Sequence, residues 1–231
     1  MIQKVLLFLT ALFYINAFAQ SDVYGNTNYS SDIKTVLLQK DISIYDPLPV
    51  ISLNSGEHLK LSFDILSPNN EFFNYSYVHC DREWRVTDLQ AMDYIAGNLM
   101  GEITDFKFST NTYQKYTHYS LSFPQSDMIP SKSGNYILKI FRNFDEEDVV
   151  LTRRFMVLDA QTKLTASVRS ATTPEYRYTH QEVDFEVDYE GFEIPNPFLD
   201  VNVTILQNNS WNNAIYSLKP LFVNGNKLTF N

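Results

Sequence analysis

Hydrophobic and polar residues alternate with a period of two over much of this chain. Leu59, Leu61, Phe63 and Ile65 face one way, while His58, Lys60, Ser62 and Asp64 face the other. That pattern predicts a half-buried antiparallel strand. Tyr119, Leu121 and Phe123 repeat it over 115–123, and over 135–142 Tyr136, Leu138 and Ile140 oppose Ile137, Lys139 and Phe141. Further strands are expected at 33–38, at 50–53 after the break Asp46-Pro47-Leu48-Pro49, and at 149–158. The most ring-rich run, 72–84, places Phe73, Tyr75 and Tyr77 on one face and Phe72, Asn74, Ser76, Val78 and Cys80 on the other. It reads as a central strand buried on both sides, leaving through Cys80-Asp81 towards an anchor at Trp84.

One helix interrupts the strands. Thr87-Asp88-Leu89-Gln90 has the form of a capping box, Leu89, Met92 and Ile95 follow at helical spacing, and Gly97 can close the element. Residues 124–134, with two prolines, read as a crossover or loop tip, and 143–148 as an acidic turn. The hydrophobic pattern lapses at 159–163 and then restarts, so a boundary is expected there. Beyond it Val183, Phe185, Val187 and Tyr189 alternate with Glu182, Asp184, Glu186 and Asp188, giving one dry and one acidic face. Leu199, Val201, Val203 and Ile205 predict another strand after Ile194-Pro195-Asn196-Pro197. Asn224-Gly225 marks a hairpin between 221–223 and 228–230. The chain ends on the returning strand, which reads as the N-terminal part of something longer, because half a sheet presents an open edge. Short strands joined by turn residues, without βαβ alternation and without a fixed repeat, indicate an all-β protein. The expected architecture is an immunoglobulin-like β-sandwich over 33–158 with one short helix, followed by a partial second β-domain over 164–231.

Composition agrees with strands. Aromatic residues make up 15% of the 231, with 15 Tyr and 17 Phe, and rings fit a pleated surface. Residues 1–19 have the form of a signal peptide: Lys4, an apolar stretch, then Ala17-Phe18-Ala19. That stretch is shorter than the roughly 20 residues needed to span a bilayer. Removing it with Lys4 takes the formal charge from −9 to −10. So acidic a chain repels phosphate backbones and anionic lipid, which argues against nucleic acid as a partner. Its single cysteine forms no internal disulfide in an exported chain, so stability must come from packing.

Several groups invite a chemical reading, and each has a plainer one. His79-Cys80-Asp81 offers three metal ligands, but neighbours on a strand point to opposite faces. No partner motif completes a Zn set, and a lone Cys is more often buried structure. A Cys–His nucleophile would need His118 or His180 brought close by folding. Asp81 and Glu83 could act as acid and base, yet Arg82 and Arg85 make local ion pairing simpler, with Asp81 accepting N–H groups at a turn. Tyr113, Tyr116, Tyr119 and Trp84 could form a sugar-stacking platform or could fill the core. Glu182, Asp184, Glu186 and Asp188 could bind Ca²⁺, but a straight strand does not gather ligands as a loop does. Asn28, Asn74, Asn202 and Asn208 head glycosylation sequons, a match common by chance. No catalytic, cofactor-binding or metal-ligating residue is assigned, and no small-molecule substrate. The residues favour an exported, non-catalytic protein that acts through its surface.

Six short motifs occur in order: His79-Cys80-Asp81-Arg82-Glu83-Trp84, Asp93-Tyr94-Ile95-Ala96-Gly97, Ser109-Thr110-Asn111-Thr112, Tyr116-Thr117-His118-Tyr119, Ser133-Gly134-Asn135-Tyr136 and Thr152-Arg153-Arg154-Phe155. With them the chain, from about residue 33 to the end, resembles the type IX secretion system plug family of Bacteroidota. The resemblance implies a periplasmic, non-enzymatic component without cofactors. It would sit against the periplasmic mouth of the outer-membrane translocon barrel and keep that pore closed. Members of the family carry a longer C-terminal part, and no partner-facing residue transfers from them. The rival expectation is a carbohydrate-binding module of an exported polysaccharide-degrading enzyme.

Overall fold

A computed structural model describes residues 24–40 and 48–231; the leader read at 1–19 and the Asp46-Pro47 break lie outside them. In chain order the first part contains β1 (Thr27–Asn28), β2 (Ile33–Lys40), β3 (Val50–Ser52), β4 (Leu59–Ile65), β5 (Phe73–Cys80) and α1 (Ala91–Tyr94). There follow β6 (Ile95–Gly97), β7 (Gly101–Ile103), β8 (Asp105–Phe108), β9 (Thr117–Phe123), β10 (Met128–Pro130), β11 (Gly134–Arg142) and β12 (Val149–Leu158). One sheet runs β1-β12-β11-β5-β7, with β3 added in parallel to β12; the other runs β2-β4-β9-β8. The fold is an all-β sandwich.

The alternating residues meet between these sheets. Phe63 lies opposite Tyr119 across the β4–β9 pair, and their rings stack with centroids 5.2 Å apart. Phe73, from the other sheet, sets its ring nearly perpendicular to both, at 5.5 and 4.9 Å. A second knot joins Tyr77, Phe123, Phe155 and Tyr136, each ring 5.2–5.9 Å from its neighbour. Edge-to-face contacts place the positive rim of one ring on the negative face of the next, adding about 0.5–1.5 kcal/mol per pair to area burial. β5 is a central strand, with β11 and β7 as neighbours, and is buried on both faces from Phe73 to Tyr77.

The rest of the chain forms β13 (Lys163–Ser170), β14 (Gln181–Asp188), α2 (Pro197–Asp200), β15 (Val203–Gln207), β16 (Ser210–Leu218), β17 (Phe222–Asn224) and β18 (Lys227–Phe230). A sheet ordered β13-β14-β18-β17 and the β15–β16 hairpin share a core of Phe185, Val187, Tyr189, Leu228 and Phe230. Phe185 and Phe230, cross-strand partners, stack at 4.5 Å.

Four expectations need correction. Phe72 is not buried but 71% exposed, because β5 begins one residue later and Phe72 belongs to the loop. The helix is a single turn that starts after Gln90, whose N–H donates to Asp93 Oδ2 at 2.9 Å; Ile95 already belongs to β6 and Met92 faces solvent. Leu199 lies on α2 rather than on a strand and is exposed. The hairpin turn is Gly225-Asn226, since Asn224 pairs with Lys227, and Gly225 takes the positive φ. β7, β8, β10, β13 and β16 had no usable pattern: β7, β8 and β10 are short, β13 is exposed along its whole length, and β16 is half-buried without alternation.

Phe155→Ala removes a ring that touches Tyr77, Phe123 and Tyr136. Urea unfolding is expected to show a loss of about 3–5 kcal/mol. Burial raises the phenol pKa of Tyr75 from 10.0 to about 12 and pushes those of Tyr77 and Tyr136 up as well. The folded state therefore favours the neutral phenol. Stability is intact below pH 10 and falls as pH rises from there towards 12. The urea midpoint is expected to be lower at pH 11 than at pH 8.

Candidate interaction surface

The run from His79 to Trp84 leaves β5 through a tight turn. Asp81 Oδ1 accepts the N–H groups of Glu83 at 2.8 Å and Arg85 at 2.9 Å, while Trp84 N–H donates to Asp81 O at 3.0 Å. Glu83 is engaged by Arg82 at 2.8 Å and Arg85 at 3.3 Å, so the two carboxylates hold a turn and an ion-pair cluster. Trp84 adopts φ +67°, which costs a bulky residue about 1–2 kcal/mol. Burying its ring to 1% exposure offsets that cost.

His79 and Cys80 diverge as strand geometry requires. The His79 ring sits between Tyr94 and Tyr136, with Nδ1 2.9 Å from Thr87 Oγ1 and Nε2 3.4 Å from Ser133 O. Burial lowers its pKa. Gly134 allows this approach, since a Cβ there would lie 2.6 Å from His79 Nε2. Cys80 instead packs with Trp84 and Ile137, and burial raises its thiol pKa from 9.0 to about 12, with Asp81 adding to the shift. His118 pairs with Asp64 at 2.6 Å on the four-stranded sheet, and His180 is exposed beside Tyr176. Among the described residues no group of three or more His, Cys, Asp or Glu is placed to hold a metal ion.

The outer face of the larger sheet carries a junction between the two cores. The Arg154 guanidinium lies 4.5 Å from the Trp84 ring centroid and 5.7 Å from that of Trp211, which comes from β16. The two indoles meet edge to face at 4.9 Å. Arg154 Nε and Nη2 donate to Tyr24 O, drawing the N-terminal segment into the same cluster. A place over an indole suits arginine, whose planar cation is weakly hydrated.

The aromatic platform is taken apart by the fold. Tyr119 and Trp84 are core residues, which leaves Tyr113 and Tyr116 at the surface. On the acidic strand, Arg169 pairs with Glu182 at 2.6 Å and Asp184 at 2.8 Å. Hydrogen bonds from Thr172, then Arg169, hold the Glu182 pKa down at about 2. Asn74 is buried, so its sequon is closed in the folded protein.

Two grooves remain. One, of about 430 Å³, lies between residues 51–58 and Pro124, Ile129 and Pro130. The other, of about 330 Å³, opens between β7 and β8 and is lined by Glu71, Phe72, Phe73, Glu102, Phe106 and Phe144. Phe144 sits in a turn whose central residues, Asn143 and Phe144, both have positive φ, at 51° and 61°. Asp145 N–H closes that turn on Arg142 O at 2.8 Å. Such turns favour Asn-Gly, and Phe in the second place costs about 1–2 kcal/mol. Buried Asn74 clamps it, its Oδ1 accepting Phe144 N–H at 2.9 Å. Unlike Trp84, Phe144 regains little by burial, because it is 61% exposed.

Comparison with known proteins follows the same outline. A family model described as type 9 secretion system plug protein 1st domain matches residues 33–159, more than half of the chain. The chain belongs to the type 9 secretion system plug family. Within this plug-family chain the matched residues span both sheets of the sandwich. A crystal structure of a hypothetical protein from Parabacteroides merdae ATCC 43184 superposes with TM-score 0.85 at 26% identity. It covers 90% of this chain, which spans 52% of that one. An alkylpurine DNA glycosylase from Pseudomonas fluorescens, at 9% identity and TM-score 0.31, bears no useful likeness. No curated protein matches.

The plug-family motifs singled out in the sequence thus map to the turn after β5, to α1 and β6, to the β8–β9 loop, to the starts of β9 and β11, and to β12 at the Arg154 junction. The Phe72–Phe144 groove was missed. Its signal was present as Asn-Phe at a position where Asn-Gly is the common pair. Cys80 is expected to resist a thiol reagent such as 5,5′-dithiobis(2-nitrobenzoate) at pH 8 and to react at once in urea. Rapid modification of the native protein would contradict the buried, neutral thiol.

Proposed function

We propose that this protein is a non-catalytic gating component of the type 9 secretion system, exported to the periplasm and closing the periplasmic end of the outer-membrane translocon barrel. The family match over 33–159 carries the reading. The body described above suits the task. A ring-packed sandwich covers an opening by its shape, without having to order itself on contact. A reversible plug calls for a polar-rimmed interface of moderate size rather than a large apolar one. No helix of the described residues is long and apolar enough to cross a membrane. The reading includes the leader at 1–19 and a division into a unit at 33–158 and a second at 164–231. It treats no residue as catalytic and requires no cofactor. The chain spans about half the length of its structural relative. The carbohydrate-binding alternative loses its main support with the burial of Tyr119 and Trp84.

Deleting the gene is expected to raise outer-membrane permeability to a normally excluded antibiotic or dye. The increase should disappear when the translocon barrel is deleted as well. Unchanged permeability in the single deletion would refute gating.

A further inference from the structure

Resting on the gating reading, we propose that the groove between Phe72 and Phe144 is the docking surface for the translocon barrel. There the barrel presents an apolar side chain flanked by lysine or arginine.

Three observations converge on this place. First, Phe72 and Phe144 are 71% and 61% exposed on adjacent loops, which are joined by Asn143 N–H donating to Phe72 O at 3.1 Å. Phe106 continues the apolar lining, and Phe108, 52% exposed, touches Phe106 at 5.5 Å. Isolated exposed rings are ordinary, but a cluster around a groove is the usual mark of an interaction site.

Second, Phe144 occupies a backbone conformation that glycine would fill without strain, and a buried asparagine holds it there. Folding gains little from a strained ring left in solvent. A contact made by that ring supplies the reason for keeping it.

Third, the surroundings are acidic. Asp145, Glu146, Glu147 and Asp148 follow Phe144, and Glu71 and Glu102 line the groove. Arg142 pairs with Glu71 at 2.7 Å and Asp148 at 3.5 Å, and Lys139 lies 3.7 Å from Glu146. Two cations against six carboxylates leave this rim negative. It therefore selects a basic partner surface and disfavours anionic lipid. At about 330 Å³ the groove holds one or two side chains, not a folded element.

The test measures binding of the mature full-length protein to the purified translocon barrel in detergent. Phe144→Gly and Phe72→Ser are each expected to weaken binding about tenfold or more. Phe144→Gly is also expected to leave the thermal midpoint unchanged or raised, since glycine relieves the turn. Neutralising Glu102 and Glu147 together to Gln should flatten the salt dependence of the affinity. If wild type binds and both phenylalanine variants bind equally well, this surface is wrong and the gating reading stands. If wild type does not bind, the gating reading fails and the surface with it. A midpoint several degrees lower for Phe144→Gly would make the ring a packing residue and overturn the proposal. So would binding to phosphatidylethanolamine–phosphatidylglycerol vesicles that is lost in Phe144→Gly, which would mark a membrane wedge instead.

Discussion

Phe63 and Tyr119 stack within the smaller sheet, and Phe73 of the larger sheet stands its ring against both at right angles. Alternating stacked and perpendicular rings resist sliding, because a lateral shift brings like-signed parts of neighbouring rings together. The second knot around Tyr77, Phe123 and Phe155 fixes a further point, so the sheets can neither slide nor pivot freely. From this lock follow the position of the β7 and β8 edges, the groove between them and the direction of the β11–β12 turn. With its one cysteine buried and no disulfide formed, the protein relies on such packing for stiffness.

Two bulky residues in left-handed backbone conformations show how the same local cost serves different ends. At Trp84 the Asp81 carboxylate gathers the turn and the indole is buried against Arg154. Strain there is the means by which a strand end is turned to anchor the outer face of the sheet. At Phe144 an equally specific clamp from Asn74 holds a ring in solvent. A departure from local preference that packing compensates is architectural; one left uncompensated points outward, to a partner.

The Arg154 junction links these parts to the second core. Arg154 is held both by the attraction of its charge to the nearby indoles of Trp84 and Trp211 and by its donated hydrogen bonds to Tyr24 O. It brings the N-terminal segment, the turn after β5, strand β12 and the β16 hairpin to one place. Two of the motif segments that carried the family resemblance meet here, through Cys80 and Trp84 of one and Arg154 of the other.

By itself the sequence determined the strands whose two faces differ. Leu59 to Ile65 and Thr117 to Phe123 alternate because one face meets the core and the other meets water, and that difference is written in every second residue. The sandwich class and the ring-filled interior were legible for the same reason, whereas the turn role of Asp81 was legible from the residue type and the family from six short motifs. Edge strands such as β8 and β13 were not, since a strand with solvent on both faces owes its shape to hydrogen bonds with a neighbour rather than to its own pattern. The one-turn helix was misplaced because the Gln90–Asp93 contact, not the apolar spacing of Leu89 and Met92, decides where it begins. Only the tertiary structure could separate Trp84 from Phe144, or Tyr119 from Tyr113, because burial is a property of what the rest of the chain brings alongside. The groove exists for that reason alone: its wall residues are far apart in sequence and become neighbours only when the two sheets lock.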